Sequence, residues 1–313
     1  MGRCDYSLKR LASGIRLEGD TPDMDLLTAL LVNQGGELLG RLSTCCDCVR
    51  SVPVRIKLRG RHRLGLPMLG IASEDPLYPV CVHAIFRDVP GANYRDLHPF
   101  GDVGAEEIFA AERYAYLMLR SLSDVNLESA QTTADIRSAE GKWSRTDCLL
   151  VEDFNNAAAN RDGHLNHPGD PRFEAADIFN YFLFQCLVGN SDFHFDFSDK
   201  GRLQLHNTLL VSREGTQIPI PYDFQYVCVV APRHWRSGPG GITRIAQRNA
   251  TMLSEMMETI PGVDFSFCLG ALRAALVFLE QADMPVTVQT QYETYLNELF
   301  RELNPKKGGV TCL

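Results

Sequence analysis

Cys186 to Tyr226 reads CLVGNSDFHFDFSDKGRLQLHNTLLVSREGTQIPIPYDFQY, and three polar residues along it decide how the whole chain is read. Asp192 follows an apolar, helix-like run. Asn207 stands just before the apolar triplet Thr208-Leu209-Leu210, and Asp223 just after Ile218-Pro219-Ile220-Pro221. An acid, then an amide ahead of one short strand, then an acid behind a second strand is the order that phosphoryl transfer to a hydroxyl needs. One carboxylate orients the nucleophile, while an amide and a second carboxylate hold magnesium against the triphosphate. A hydroxyl is a poor nucleophile at neutral pH, so the first carboxylate must lie within hydrogen-bond reach to take its proton. Magnesium prefers oxygen donors and keeps several waters beside one or two protein ligands, which suits an amide and a carboxylate set at strand edges. The plainer reading of Gly189-Asn190-Ser191-Asp192 is an ordinary turn with an Asx hydrogen bond.

Within this stretch GNSDFH, HNTLLV and PYDFQY resemble the GN-S/T-D, HN-x-x-L-L and P-Y-D-F-D segments of atypical bacterial kinase-like proteins related to the CotH spore-coat kinases. The likeness to the HipA toxin kinases is more distant. The resemblance implies an ATP-dependent, two-lobed α+β kinase fold with Asp192 as catalytic base and magnesium on Asn207 and Asp223. The chain departs from that pattern twice. Asn207 comes fifteen positions after Asp192, with His194, Asp196 and Asp199 in the insert. A HipA-like layout has its Asn five places after the Asp, where this chain has Phe197, which favours Asn207 with Asp196 in reserve. The family's second acid after D-F is Gln225 here, which leaves open a catalytically degenerate, kinase-like nucleotide-binding or interaction module.

Outward from this stretch, 313 residues with 45% hydrophobic content can bury a large core in one domain or two packed lobes. No run of about eighteen apolar residues occurs to span a bilayer, and Met1-Gly2-Arg3-Cys4-Asp5-Tyr6 carries no apolar signal core. The sequence therefore suggests a cytoplasmic protein without a membrane partner. A net charge of −8 argues against a nucleic-acid surface, which needs basic patches. Ten cysteines are too dilute for a disulfide scaffold, and Cys45-Cys46-Asp47-Cys48 lacks the second ligand pair of a zinc site.

The first part, residues 1–151, reads as a strand-rich N-lobe and residues 152–313 as a mainly helical C-lobe. A helix is expected around Asp25 to Val32 and strands over Val52–Leu58, Leu66–Ile71, Val80–Phe86, Ser129–Ile136 and Asp147–Val151. Val52, Val54, Ile56 and Leu58 alternate with Arg55, Lys57 and Arg59, and Gly60-Arg61-His62-Arg63 follows. This basic strand and turn reads either as a phosphate cradle or as an edge strand guarded by charge. It also resembles the family's R-G-x-x-R turn, which implies nucleotide contacts for Lys57, Arg59 and Arg63. Ile108, Ala111, Ala115 and Met118 recur at helical spacing. AERYAY within that helix resembles the family's R-E-Y-x-A-Y, which implies that Glu112 pairs with the nucleotide-binding lysine; its plainer reading is an exposed helix charge. LLVEDF resembles the family's F-L-I-E-D hinge, where the backbone of Glu152, Asp153 and Phe154 meets adenine; alternatively Asp153 caps a helix.

Arg161 to Arg172 reads as a loop whose His164 and His167 are surface residues. Glu174 to Val188 is an apolar, buried helix, and Met252–Ile260, Phe265–Gln281 and Gln289–Leu303 are helical by periodicity. The resemblance implies a protein or small-molecule hydroxyl as phosphoacceptor. A third reading, a zinc or manganese hydrolase built on the insert's His and Asp residues, has no HExxH helix behind it.

Overall fold

The computed structural model describes residues 15–17, 37–44, 52–57, 68–71, 82–87, 104–122, 126–137, 143–152, 158, 164–165, 172–190, 193–197, 203–224, 227, 241–261, 265–282 and 284–304. The protein mixes helix and sheet in two compact units, one of residues 1–109 and 127–162, the other of residues 110–126 and 163–313. The division falls elsewhere than at 151/152, because helix residues from Ala110 onward belong with the second unit.

In the first unit the alternating strands of the sequence close on themselves. Strands β1 (Ile15–Leu17), β2 (Glu37–Thr44), β3 (Val52–Lys57), β4 (Met68–Ile71) and β5 (Val82–Phe86) run antiparallel in sequence order. After helix α1 (Ala105–Leu122), strands β6 (Ser129–Arg137) and β7 (Trp143–Glu152) complete the ring in the order β1-β2-β3-β4-β5-β7-β6. The parallel pairing of Ile15–Leu17 with Ala134–Ile136 closes the barrel. Strands β1 and β2 are not among the strands expected from the sequence. Cys148 to Val151 are four consecutive buried residues, so this part of β7 is covered on both faces. Arg87 donates to Asp147 at 2.6 Å, a partly exposed ion pair of the kind that contributes little. The expected helix at Asp25 to Val32 lies outside the described residues.

The second unit begins with the main part of α1. Ile108, Ala111, Ala115 and Met118, the stripe expected to face the core, are all buried. The Tyr114 ring packs on Tyr292 at 4.8 Å and its hydroxyl donates to the Ala275 carbonyl at 2.9 Å. The residues expected to form a loop before the second helix include a two-residue strand β8 (His164–Leu165), paired with Val211 and Ser212. Helix α2 (Ala175–Leu187) follows the expected bounds. Two antiparallel hairpins come next, β9 (His194–Phe197) with β10 (Leu203–His206), then β11 (Thr208–Arg213) with β12 (Thr216–Pro221). The second hairpin turns on Glu214-Gly215, with φ of 53° and 86°, the two-residue form in which both positions are left-handed and glycine is favoured. Helices α3 (Gly241–Thr259), α4 (Phe265–Gln281) and α5 (Val286–Leu303) complete the unit; α3 and α5 begin earlier than the apolar periodicity shows. Among the described residues no helix is long and apolar enough to cross a membrane.

Candidate functional site

The apolar helix α2 needs a sharp stop to deliver the chain to the Gly-Asn-Ser-Asp segment, and glycine provides it. Gly189 takes φ of 62°. Its N–H donates to the Cys186 carbonyl at 3.1 Å, and the Asn190 N–H to the Gln185 carbonyl at 2.9 Å. These are the two bonds of a Schellman cap. Asn190, buried, also donates through Nδ2 to Gln185 Oε1 at 2.8 Å. Gly189 and Asn190 thus have a structural role as helix terminators. Asp192 lies outside the described residues.

The cap is fixed from behind. Tyr295 of α5 donates its hydroxyl to the Cys186 carbonyl and accepts from Asn249 Nδ2 of α3 at 2.6 Å. The Cys186 carbonyl therefore uses both lone pairs, one on Gly189 and one on Tyr295. Burial pushes the Cys186 and Cys148 thiols well above their ordinary pKa, so both stay protonated and unreactive.

The long insert after Asp192 resolves into the β9–β10 hairpin. Its register pairs Phe197 with Leu203 and, at the open end, His194 with His206. The fifteen-residue separation is therefore a detour that returns to its start: Phe193 precedes one member of the last pair and Asn207 follows the other. Phe195 holds the hairpin to α2 through Tyr181 at 5.4 Å and Phe182 at 5.8 Å.

Asn207 is also the mouth of the second hairpin. Thr208 pairs with Pro221, and the Tyr222 N–H donates to the Asn207 carbonyl at 3.1 Å. Asp223 is the next residue. The open ends of both hairpins thus meet at Asn207, and Asp223 lies one residue beyond the backbone bond that joins them. Asn207 and Asp223 share a left-handed backbone, with φ of 52° and 62°, which asparagine and aspartate tolerate best among residues with a Cβ. Two side-chain contacts hold these turns. The single Thr208 hydroxyl proton goes to the His206 carbonyl at 3.2 Å, so Tyr181, 2.5 Å away on α2, is the donor to Thr208 Oγ1. Phe224, fully buried, packs edge-on against Tyr116 at 4.8 Å and Phe184 at 5.3 Å, fixing the residue after Asp223 in the core. Burial raises the Tyr181 pKa to about 12, against the opposing effect of its bonds to Thr208 and Gln185. It stays a neutral donor at all physiological pH.

Tyr181, Thr208, Tyr116 and Phe224 escaped sequence reasoning as positioning groups. Only Thr208, next to Asn207, offered a local signal. A cavity of about 20 Å³ between α1, α2 and β12, lined by Leu119, Tyr181, Phe184 and Pro219, has room for one water and not for part of a nucleotide.

The remaining sequence-derived residues belong elsewhere. Lys57 is the last residue of β3, paired with Glu37, and its side chain lies outside the described residues, as do Arg59, Arg63, Asp153 and Phe154. Glu112 is fully buried in α1, so it is not the exposed helix charge of the plainer reading. Glu152 ends β7 opposite Val82 and is buried. Its N–H donates to the Glu128 carbonyl at 2.8 Å and its Oε2 accepts from the Glu128 N–H at 3.2 Å. That backbone donor is therefore taken. Asp196 lies on the exposed face of β9. Among the described residues no set of three or more His, Cys, Asp or Glu side chains converges as metal ligands.

Compared with models of protein families and with curated proteins, the chain matches none of them.

Proposed function

We propose that the protein is a cytoplasmic ATP-dependent kinase of two-lobed, kinase-like α+β fold. It transfers the γ-phosphoryl group to a protein or small-molecule hydroxyl. The observation that carries the reading is the meeting of the two hairpin mouths at Asn207, with Asp223 one residue beyond the bond that joins them. An amide oxygen and a carboxylate there are hard oxygen donors, the set magnesium takes while keeping its waters. The bound ion supplies charge neutralisation at the phosphates.

In this reading Asp192, whose segment starts from the cap of α2, accepts the acceptor hydroxyl's proton. The acceptor oxygen bonds to the γ-phosphorus, the bond to the β–γ bridging oxygen breaks, and ADP leaves with that electron pair. Asn207 and Asp223 would hold the ion. Lys57, Arg59 and Arg63 bind phosphate oxygens, Glu112 orients the lysine, and the backbone of Glu152, Asp153 and Phe154 receives adenine. The burial of Glu112 supports its assignment, since a carboxylate is rarely buried without a charged or hydrogen-bonding role.

Gln225, in place of a second acid, favours one alternative: a nucleotide-binding or protein-interaction module of the same fold without transfer. Incubation with γ-labelled ATP and magnesium, comparing the intact protein with Asp192→Ala and Asp223→Ala, tests the reading. Label transferred by the intact protein and lost in both variants is expected. Equal labelling in all three overturns the assignment. Thermal stabilisation by Mg-ATP without transfer supports the alternative.

A further inference from the structure

The β9–β10 hairpin carries a second constellation that the kinase reading does not use. His194 and His206 are direct partners across the antiparallel pair, so their side chains leave the same face with Cβ atoms about 4.5–5.5 Å apart. Both are exposed, as are Asp196 and Gln204 further along that face, whereas Phe193, Phe195, Leu203 and Leu205 alternate inward. Two imidazoles at this separation can bring one nitrogen each to a single ion at about 2.0–2.1 Å.

We propose that His194 and His206 form a two-imidazole site for a divalent transition ion of the zinc, nickel or copper class, with water completing the coordination. Imidazole suits these ions and not magnesium, so the site is chemically distinct from the oxygen pair at Asn207 and Asp223. Its place gives it a consequence. The two histidines are the last pair before the hairpin opens, so a bound ion cross-links the strands where Phe193 and Asn207 diverge. It fixes the geometry of the Asn207 turn from outside. Ion binding itself does not depend on the kinase reading.

The test is calorimetric titration of the full chain with Ni²⁺ in a non-coordinating buffer, without nucleotide. The intact protein is compared with His194→Ala, His206→Ala, the corresponding glutamine variants and Asp223→Asn. Thermal unfolding in EDTA identifies the variants that fold. The expected result is one site lost or weakened in either histidine variant. The loss should be no smaller than the ~10–100-fold that removal of an outer partner of a metal ligand costs. In Asp223→Asn the site should be unchanged. Identical titrations for the intact protein and both histidine variants overturn the proposal. So does loss in only one of the two, which shows that the pair does not act together. Loss in Asp223→Asn also overturns it, by assigning the ion to the oxygen pair.

Discussion

Replacing Tyr181 with phenylalanine removes one oxygen and leaves the ring against Phe182, Phe193 and Phe195. The lost interaction is a buried hydrogen bond of 2.5 Å to Thr208 Oγ1. Thr208 still donates to the His206 carbonyl, while the buried Gln185 side chain also loses the Tyr181 oxygen it faces, so the cost is about 1–2 kcal/mol near neutral pH. For a protein of this size that is roughly 1.5–3 °C in Tm. A second signature lies at high pH. The Tyr181 pKa is raised from 10.0 to about 12, chiefly by burial. A group whose folded pKa is raised contributes stability that is complete below pH 10 and is lost as pH climbs towards the folded value. Intact protein therefore loses roughly 1–1.5 kcal/mol more than Tyr181→Phe by about pH 11, about half of the full effect of the shift. Tyr114, also raised by burial, titrates in both proteins and cancels in the difference. Urea unfolding followed by circular dichroism, at neutral pH and at steps from about pH 9 to pH 11, measures both effects, with m-values checked for equality. A neutral-pH difference below about 0.5 kcal/mol together with parallel alkaline profiles refutes the argument that Tyr181 holds the Asn207 turn.

The left-handed turn at Asn207 separates a backbone role from a ligand role. Asn207→Ala should lose roughly 1–2 kcal/mol of stability, whereas Asn207→Gly should keep most of it. Under the kinase reading both lose magnesium-dependent ATP stabilisation, as thermal shift will show. Tyr295→Phe removes the donor to the Cys186 carbonyl and strands Asn249 Nδ2 in the core, for a loss of about 2–4 kcal/mol. Equilibrium unfolding is the measurement, and a double variant with Asn249→Ala should cost less than the sum of the two single changes.

Much of the local structure was legible. Helix α2 and helix α4 follow their apolar runs closely, because a face with a 3.6-residue period must be buried and its ends are marked by Glu174, Gly189 and Phe265. The strands β3 to β7 were likewise visible, β3 as a two-residue alternation and the others as short strand-like runs. Strands β1 and β2 were not, since Ser43 and Thr44 have the composition of a turn and become strand only by pairing with Ile15 and Arg16. The His164–Leu165 strand is too short to carry a pattern and exists only through its pairing with β11.

By itself, the order of residues determined where helices stop, where strands alternate, and that Asn207 and Asp223 bracket a hairpin. It did so because capping, turn chemistry and periodicity act over a few neighbouring positions. Only tertiary structure decided that the barrel closes through a parallel pair, that Glu112 is buried, and that the insert after Asp192 folds back to bring His194 opposite His206 beside Asn207. Those outcomes depend on pairing and desolvation between residues far apart along the chain, for which no single stretch of sequence carries the signal.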